Sequence, residues 1–231
     1  MYNLLNVGNN AKTIKGDALG QYLSAIMYLA PAMTSGHQMC PSASVGCKAS
    51  CLFSAGRGAM SSVEKARVRK TNLLMNDPAE FTRLLVADFD KLVAQCAAKQ
   101  VKPCVRLNGT SDTGKFLPVI KSRPDIQFYD YSKEEKRMRE YIAGKLPTNY
   151  HLTFSRSETN WTFCKEVLQA GKSVAAVFDA VPPTYEGFPV VSGDDTDLRF
   201  LDPEGVIIGL KAKGKALKDV SGFVIRKGTK P

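Results

Sequence analysis

The chain has 231 residues, 44% hydrophobic and 23% charged, a size and mixture that fit one α/β domain with a real core and exclude a disordered chain. No apolar run approaches the roughly 20 residues that span a bilayer, and the opening Met-Tyr-Asn-Leu-Leu-Asn lacks the basic flank and apolar core of a signal peptide, so the expected location is a cytoplasm. The formal charge of +10 is local: from 211 to 231 seven Lys/Arg against Asp219 leave +6, and from 48 to 72 six against Glu64 leave +5. Such a surface points either to a nucleotide or nucleic-acid partner or to a solvated basic face.

In chain order, the first strand is expected over Ala25 to Ala32, closed by Pro31 and a Thr34-Ser35-Gly36 turn. A cysteine-bearing loop follows. Two helices come next, one opened by Ser61 with Glu64 at capping-box spacing, the other by Asp77 with Glu80 and Pro78 at its first position. Phe81, Leu84, Leu85, Phe89, Leu92 and Cys96 recur at helical spacing and mark a core face. Strands are expected at Pro103–Asn108 and Ile126–Asp130. Ser132 and Glu135 then cap a helix carrying Met138, Tyr141 and Ile142. A further strand is expected at Tyr150–Phe154. A helix with Trp161, Cys164, Val167 and Leu168 follows and stops at Gly171. Strands at Ser173–Phe178, Phe188–Val191 and Val206–Leu210 complete the set.

Alternating strands and helices predict a parallel sheet under outer helices. The expected architecture is a single α/β domain over 1–231, with a metal-binding loop at 37–58 and a basic C-terminal tail. About six or seven parallel strands would form a partial or complete βα, TIM-like barrel; an open doubly wound sheet is the alternative. Most strands run into polar residues: Asn108-Gly-Thr110-Ser111-Asp112, Asp130, Ser155-Arg156-Ser157-Glu158, Asp179, and Asp194, Asp195 and Asp197. The carboxyl edge of such a sheet is where ligands bind, although polar residues also simply populate loops and cap helices.

Six cysteines in a chain with no export signal favour metal ligation or buried thiols over disulfides. Cys96, Cys104 and Cys164 stand among apolar residues and read as core thiols. Cys40, Cys47 and Cys51 are different. Six residues separate the first pair and three the second, in a loop of Pro, Ser, Ala and Gly that can fold around an object and point thiolates inward. Three thiolates can hold three irons of a 4Fe–4S cluster and leave the fourth open to a substrate or to S-adenosylmethionine. With His37 added, the same residues could form a closed Cys3His zinc site. His151, inside a strand, reads as a packed residue.

The stretches CPSASVGCKASCLFSAGRG, VRLNGTSD, FYDYSK, HLTFSRSE and GDDTDLRFLDP, in this order from about Ser35 to Gly222, resemble bacteriophage proteins of the gene product eighty-eight family. That resemblance implies a viral origin and the cytoplasm of a bacterial host. A more distant similarity is to the radical S-adenosylmethionine superfamily, with its partial βα barrel and a three-cysteine loop after the first strand. It implies that Cys40, Cys47 and Cys51 are cluster ligands, although the gaps here are longer than that superfamily's. It further implies that Asn108, Thr110, Ser111 and Asp112 contact the methionyl part of the cofactor, with Ser155 and Ser157 adding polar contacts.

Overall fold

A computed structural model describes residues 4–8, 11–54 and 56–228. The elements are β1 (Leu5–Val7), α1 (Ala11–Asp17), β2 (Tyr22–Met27), α2 (Val45–Ala49), α3 (Ser61–Asn76), α4 (Pro78–Lys99), β3 (Lys102–Arg106), α5 (Leu117–Lys121), β4 (Gln127–Ser132), α6 (Glu135–Ile142), β5 (Tyr150–Ser155), α7 (Trp161–Gln169), β6 (Val174–Phe178), β7 (Thr184–Tyr185), β8 (Phe188–Ser192), β9 (Ile207–Lys211) and β10 (Val224–Ile225). Among these, no helix is long and apolar enough to cross a membrane.

Local chemistry accounts for several boundaries. Asp77 Oδ1 accepts the Glu80 amide at 3.0 Å and Pro78 opens α4 as expected, and Phe81, Leu85, Phe89, Leu92 and Cys96 are buried along its inner face. The capping box expected at Ser61 does not form: α3 starts on Ser61 itself and its N-cap is Met60, without a side-chain cap. Ser132 likewise ends β4, where its Oγ accepts from Glu134 N at 2.9 Å, and α6 begins from Glu134. β2 starts and ends earlier than expected, because its register is set by pairing from Tyr22 opposite Lys102 to Ile26 opposite Arg106.

The sheet runs β1-β2-β3-β4-β5-β6-β9-β8-β7, with β10 beside β6. All neighbours from β2 through β8 along this path are parallel, and antiparallel pairs occur at its two ends. The path does not close on itself, so the complete barrel is not what forms. Nor does the order reverse between β2 and β6, which a doubly wound sheet requires.

Side chains alternate across this sheet with period two. One face, carrying Ala25, Met27, Val105, Phe128, Leu152, Phe154, Ala176 and Ile207, packs with residues of α4, α6 and α7 into the main core. The other face carries Cys104, Arg106, Tyr129, Tyr131 and Ile208, and the segment 196–202 lies across it. Leu198 and Phe200 pack against Cys104, Tyr129 and Tyr22. Asp197 accepts from Arg106 at 3.0 Å and from the Tyr131 hydroxyl at 3.2 Å, while the Arg106 guanidinium stacks on Tyr131. Burial opposes the Arg106 charge, and the nearby Asp197 carboxylate more than offsets it, so the guanidinium pKa is raised.

The carboxyl edge is opened by a divergence. β5 pairs with β6 only at Phe154–Val174 and Ser155–Ala175, and β10 takes up the remaining length at Val177 and Phe178. Arg156 fastens this wedge, donating to the carbonyls of Gly222 at 2.6 Å and Phe223 at 2.9 Å. The C-terminal segment is thereby carried to the edge where the cysteine loop lies.

Removing Asp197 leaves the largely buried Arg106 guanidinium without its carboxylate. Asp197→Ala should lower unfolding free energy by about 3–5 kcal/mol in chemical denaturation, and the Arg106→Leu/Asp197→Leu double variant by much less. A single-variant loss below about 1 kcal/mol would mean that the pair behaves as an exposed one.

Candidate metal centre

The cysteine loop leaves the carboxyl end of β2 and is folded back by bonds to β3 and β5. Cys40 Sγ accepts from Ala32 N at 3.4 Å and lies 3.9 Å from the Thr110 carbonyl, to which it donates. Two further bonds register the loop on the segment after β3: Asp112 N donates to the Met39 carbonyl at 2.8 Å, and Thr110 Oγ1 to that of Leu29 at 2.5 Å. Cys47 sits in α2, a helix of 5 residues too short to be stable by itself. Ser44 caps it, accepting from Cys47 N at 3.1 Å. Glu158, just past β5, accepts from Ser44 Oγ and from Gly46 N, both at 2.7 Å. These bonds hold the Glu158 carboxyl below its ordinary range against the opposing effect of burial.

Gly46 is required at this junction. A Cβ there would collide with Ser221 Oγ and lie 2.7 Å from Phe223 Cβ and 2.9 Å from Glu158 Oε2. Cys47 accordingly packs with Ala212, Ala216 and Phe223 of the C-terminal segment. Cys51 follows α2. Arg67 lies below, between the rings of Tyr28 (5.3 Å) and Phe53 (5.1 Å), with Nη1 on the Phe53 carbonyl at 3.3 Å.

The three thiols are half-buried and unbridged, and they sense one another. Burial pushes Cys40 up to about 11, with Asp112, Cys51 and Cys47 adding to the rise. Burial also raises Cys51, against a backbone hydrogen bond at Phe53 and the charges of Arg67 and Lys133. A metal entering here has to displace thiol protons. Among the described residues, no three His, Cys, Asp or Glu side chains converge where one ion could sit. A single zinc, with Zn–S near 2.3 Å, gathers its sulfurs to within about 4 Å of one another, whereas a cluster carries each thiolate on a different iron.

The other expected contacts have a different place. Asn108 is buried; its amide nitrogens and carbonyl are spent on Asp130, Thr113 and Ser111. Asp112 accepts from Lys133 N at 2.8 Å and from Arg137. Asn108, Thr110, Ser111 and Asp112 therefore brace the loop through hydrogen bonds to neighbouring segments, with Asn108 and Ser111 buried and Thr110 and Asp112 half-buried. The Ser155 carbonyl accepts from Asn160 Nδ2 at 3.1 Å. Ser157, whose amide donates to Asn160 Oδ1 at 2.7 Å, lines an open cleft of about 490 Å³ together with Pro41–Ser44, Lys133–Lys136, Thr159 and Asn160. Asp194 and Asp197 are engaged by lysines and an arginine: Asp194 meets Lys12 at 3.1 Å and Lys213 at 2.8 Å. His151 packs edge-on against Tyr141, and Cys96, Cys104 and Cys164 are buried.

Arg67 shapes this site without having stood out in the sequence, and Glu158, read there only as one of the polar residues at the carboxyl edge, has a partner that was not foreseen. Glu158 meets Gly46 across 112 positions, and no local pattern announces such a partner.

Comparison of the chain with protein families matches the family described as Gene product 88 over residues 3–227. Comparison with curated proteins and with solved structures yields no match.

Asp130, buried in β4, and His151, half-buried in β5, set opposite pH dependences. Burial raises the Asp130 carboxyl from 3.8 to about 6, so folding retains its proton and stability falls as pH rises through that window. Burial lowers His151 from 6.5 to about 4, so stability is lost as pH falls from the unfolded value toward the folded one. Relative to the wild type, Asp130→Asn should gain on the order of 2 kcal/mol between pH 4 and pH 7, and His151→Gln should lose a similar amount. Denaturant titrations at both pH values check this; variants that track the wild type at both would contradict it.

Proposed function

We propose an iron–sulfur function for this chain, which belongs to the Gene product 88 family, a bacteriophage gene-product family. The reading is a 4Fe–4S cluster held by Cys40, Cys47 and Cys51, with the fourth iron open. The observation that carries it is that three half-buried, unbridged cysteines lie within twelve residues of one another in the segment that follows the carboxyl end of the first parallel strand. The unreversed order β2-β3-β4-β5-β6 supports the finer proposal, a partial-barrel arrangement like that of the radical S-adenosylmethionine enzymes.

When bound, such a cluster supplies a one-electron reductant with one iron free to take a ligand such as S-adenosylmethionine. The chain's own residues do the rest. Arg67 and Lys133 offset the charge of the Cys51 thiolate. Glu158 and Gly46 fix α2 and hence Cys47. Asn108 and Asp112 hold the loop under Cys40. The open cleft lined by residues 41–44, 133–136, 157, 159 and 160 begins one residue after Cys40 and is the proposed space for a ligand of the open iron. Polar contacts to it would come from Ser157 and Lys133, which line the cleft.

Anaerobically purified protein should contain about four irons and absorb broadly near ~400 nm, as iron–sulfur proteins do. Cys40→Ala, Cys47→Ala and Cys51→Ala should each lose most of that iron, while Cys96→Ala keeps it. With the cluster reduced, S-adenosylmethionine cleavage is the activity to assay. A colourless protein with about one zinc would overturn the cluster; a loaded, reduced cluster that leaves S-adenosylmethionine intact would overturn the radical reaction alone.

A further inference from the structure

Basic residues that lie far apart in the sequence meet at the carboxyl edge of the sheet. The 3-10 turn at Leu52–Ser54 packs on the one at Gly214–Lys218, and Gly46 of α2 abuts Ser221 and Phe223. Lys48 is thereby brought to the face that carries Lys211, Lys213, Lys215 and Lys218, all of them exposed. Lys133, which also lines the cleft, reaches over the same segment, with Nζ 5.4 Å from the Phe223 ring centroid. Arg226 donates to the Leu217 carbonyl at 3.1 Å and to that of Asp219 at 2.7 Å, fixing the turn between them. The acids at this face are engaged by the protein itself. Asp219 is buried and bonded to Ser221 Oγ at 2.6 Å and Val224 N at 3.0 Å, and Glu158 accepts from Ser44 and Gly46. Asp194 partly neutralises Lys213, and beyond Lys133 the basic surface ends at Glu134 and Glu135.

We propose that this face binds a single strand of nucleic acid through its phosphates, whether or not the cysteines hold a metal. The residue type selects phosphate over an acidic protein. Protein–protein interfaces are depleted of lysine, whereas closely set lysines neutralise a polyanion and release its counterions. From 211 to 227 the chain carries six cations, Lys211, Lys213, Lys215, Lys218, Arg226 and Lys227, against the buried Asp219 alone. Charge of one sign along a segment matches a ligand whose own charge repeats along its length. The apolar residues select a single strand over a duplex. Leu52 and Leu217 stand 58% and 60% exposed on the two packed turns. Beside Leu52 is the half-buried Phe53, its ring held 5.1 Å from the Arg67 guanidinium. Unpaired bases have faces to lay on such side chains. In a duplex those faces are stacked inside, and only phosphates would meet the leucines.

The test is fluorescence anisotropy of a labelled single-stranded oligonucleotide of about 20 nucleotides titrated with the full chain as purified. With four phosphates neutralised, affinity should fall ~50-fold between about 50 and about 200 mM salt. Lys215→Glu/Lys218→Glu should bind about tenfold or more weakly at low salt and show a shallower salt dependence. Lys121→Glu/Lys145→Glu makes the same change in net charge at the opposite edge of the sheet, where these exposed lysines precede β4 and β5, and should bind like the wild type. Leu52→Ser/Leu217→Ser should bind about threefold or more weakly with the salt dependence unchanged. No binding at low salt overturns the proposal, and equal losses in the two charge-reversed variants overturn the face, since net charge alone would then account for binding. A duplex of the same length that binds as tightly, or a leucine variant that binds like the wild type, overturns the single strand. Poly-glutamate that displaces the oligonucleotide at equal charge concentration overturns nucleic acid in favour of an acidic protein.

Discussion

The carboxylate of Glu158 is the contact on which the geometry of the cysteine-bearing segment depends. A helix as short as α2 cannot hold a cysteine in place by itself. Glu158 supplies what it lacks by accepting the Gly46 amide and the hydroxyl of the capping Ser44. Because Glu158 follows β5 while the helix follows β2, this one side chain ties together strands that are not neighbours. The close approach it demands leaves no space for a Cβ at Gly46, and so brings Phe223 and the C-terminal segment against Cys47.

Parallel alignment makes that tie possible. Strands β2 through β6 and β9 all deliver their carboxyl ends to one edge, where the loop bearing Cys40, the Asn108–Thr113 turn and Glu158 meet. The divergence of β5 from β6, filled by β10 and fastened by Arg156, admits the basic segment to the same edge. On the face away from the helices, Arg106, Tyr131 and Asp197 form a buried charged layer under residues 196–202. Once a carboxylate compensates the buried guanidinium, that segment is bound in one register.

Much of the α/β alternation was legible in the chain, because hydrophobic period and capping chemistry are local. Asp77, Pro78 and Glu80 announce α4, and the apolar series from Phe81 to Cys96 announces its buried side. What was not legible depends on partners far away. The β1 strand pairs back on β2, β10 exists only because β5 and β6 part, and the open path of the sheet follows from registers no single segment encodes. The three cysteines stand out by their spacing in a loop of small residues, and the fold leaves them half-buried and unbridged. The roles of Asn108 and Asp112 could not be read from the chain, since only the fold reveals that their polar atoms meet Asp130, Thr113 and Arg137. Polar residues after a strand announce an edge; whether they face a ligand or the protein is settled by tertiary contacts.

The central claim is a cluster on three protein thiolates, and its most direct test is Mössbauer spectroscopy of the anaerobically reconstituted protein. Three-cysteine ligation predicts one iron distinct from the other three, and a change confined to that iron when S-adenosylmethionine is added. Four equivalent irons that do not respond to S-adenosylmethionine, or a protein that takes up no iron at all, would contradict the account.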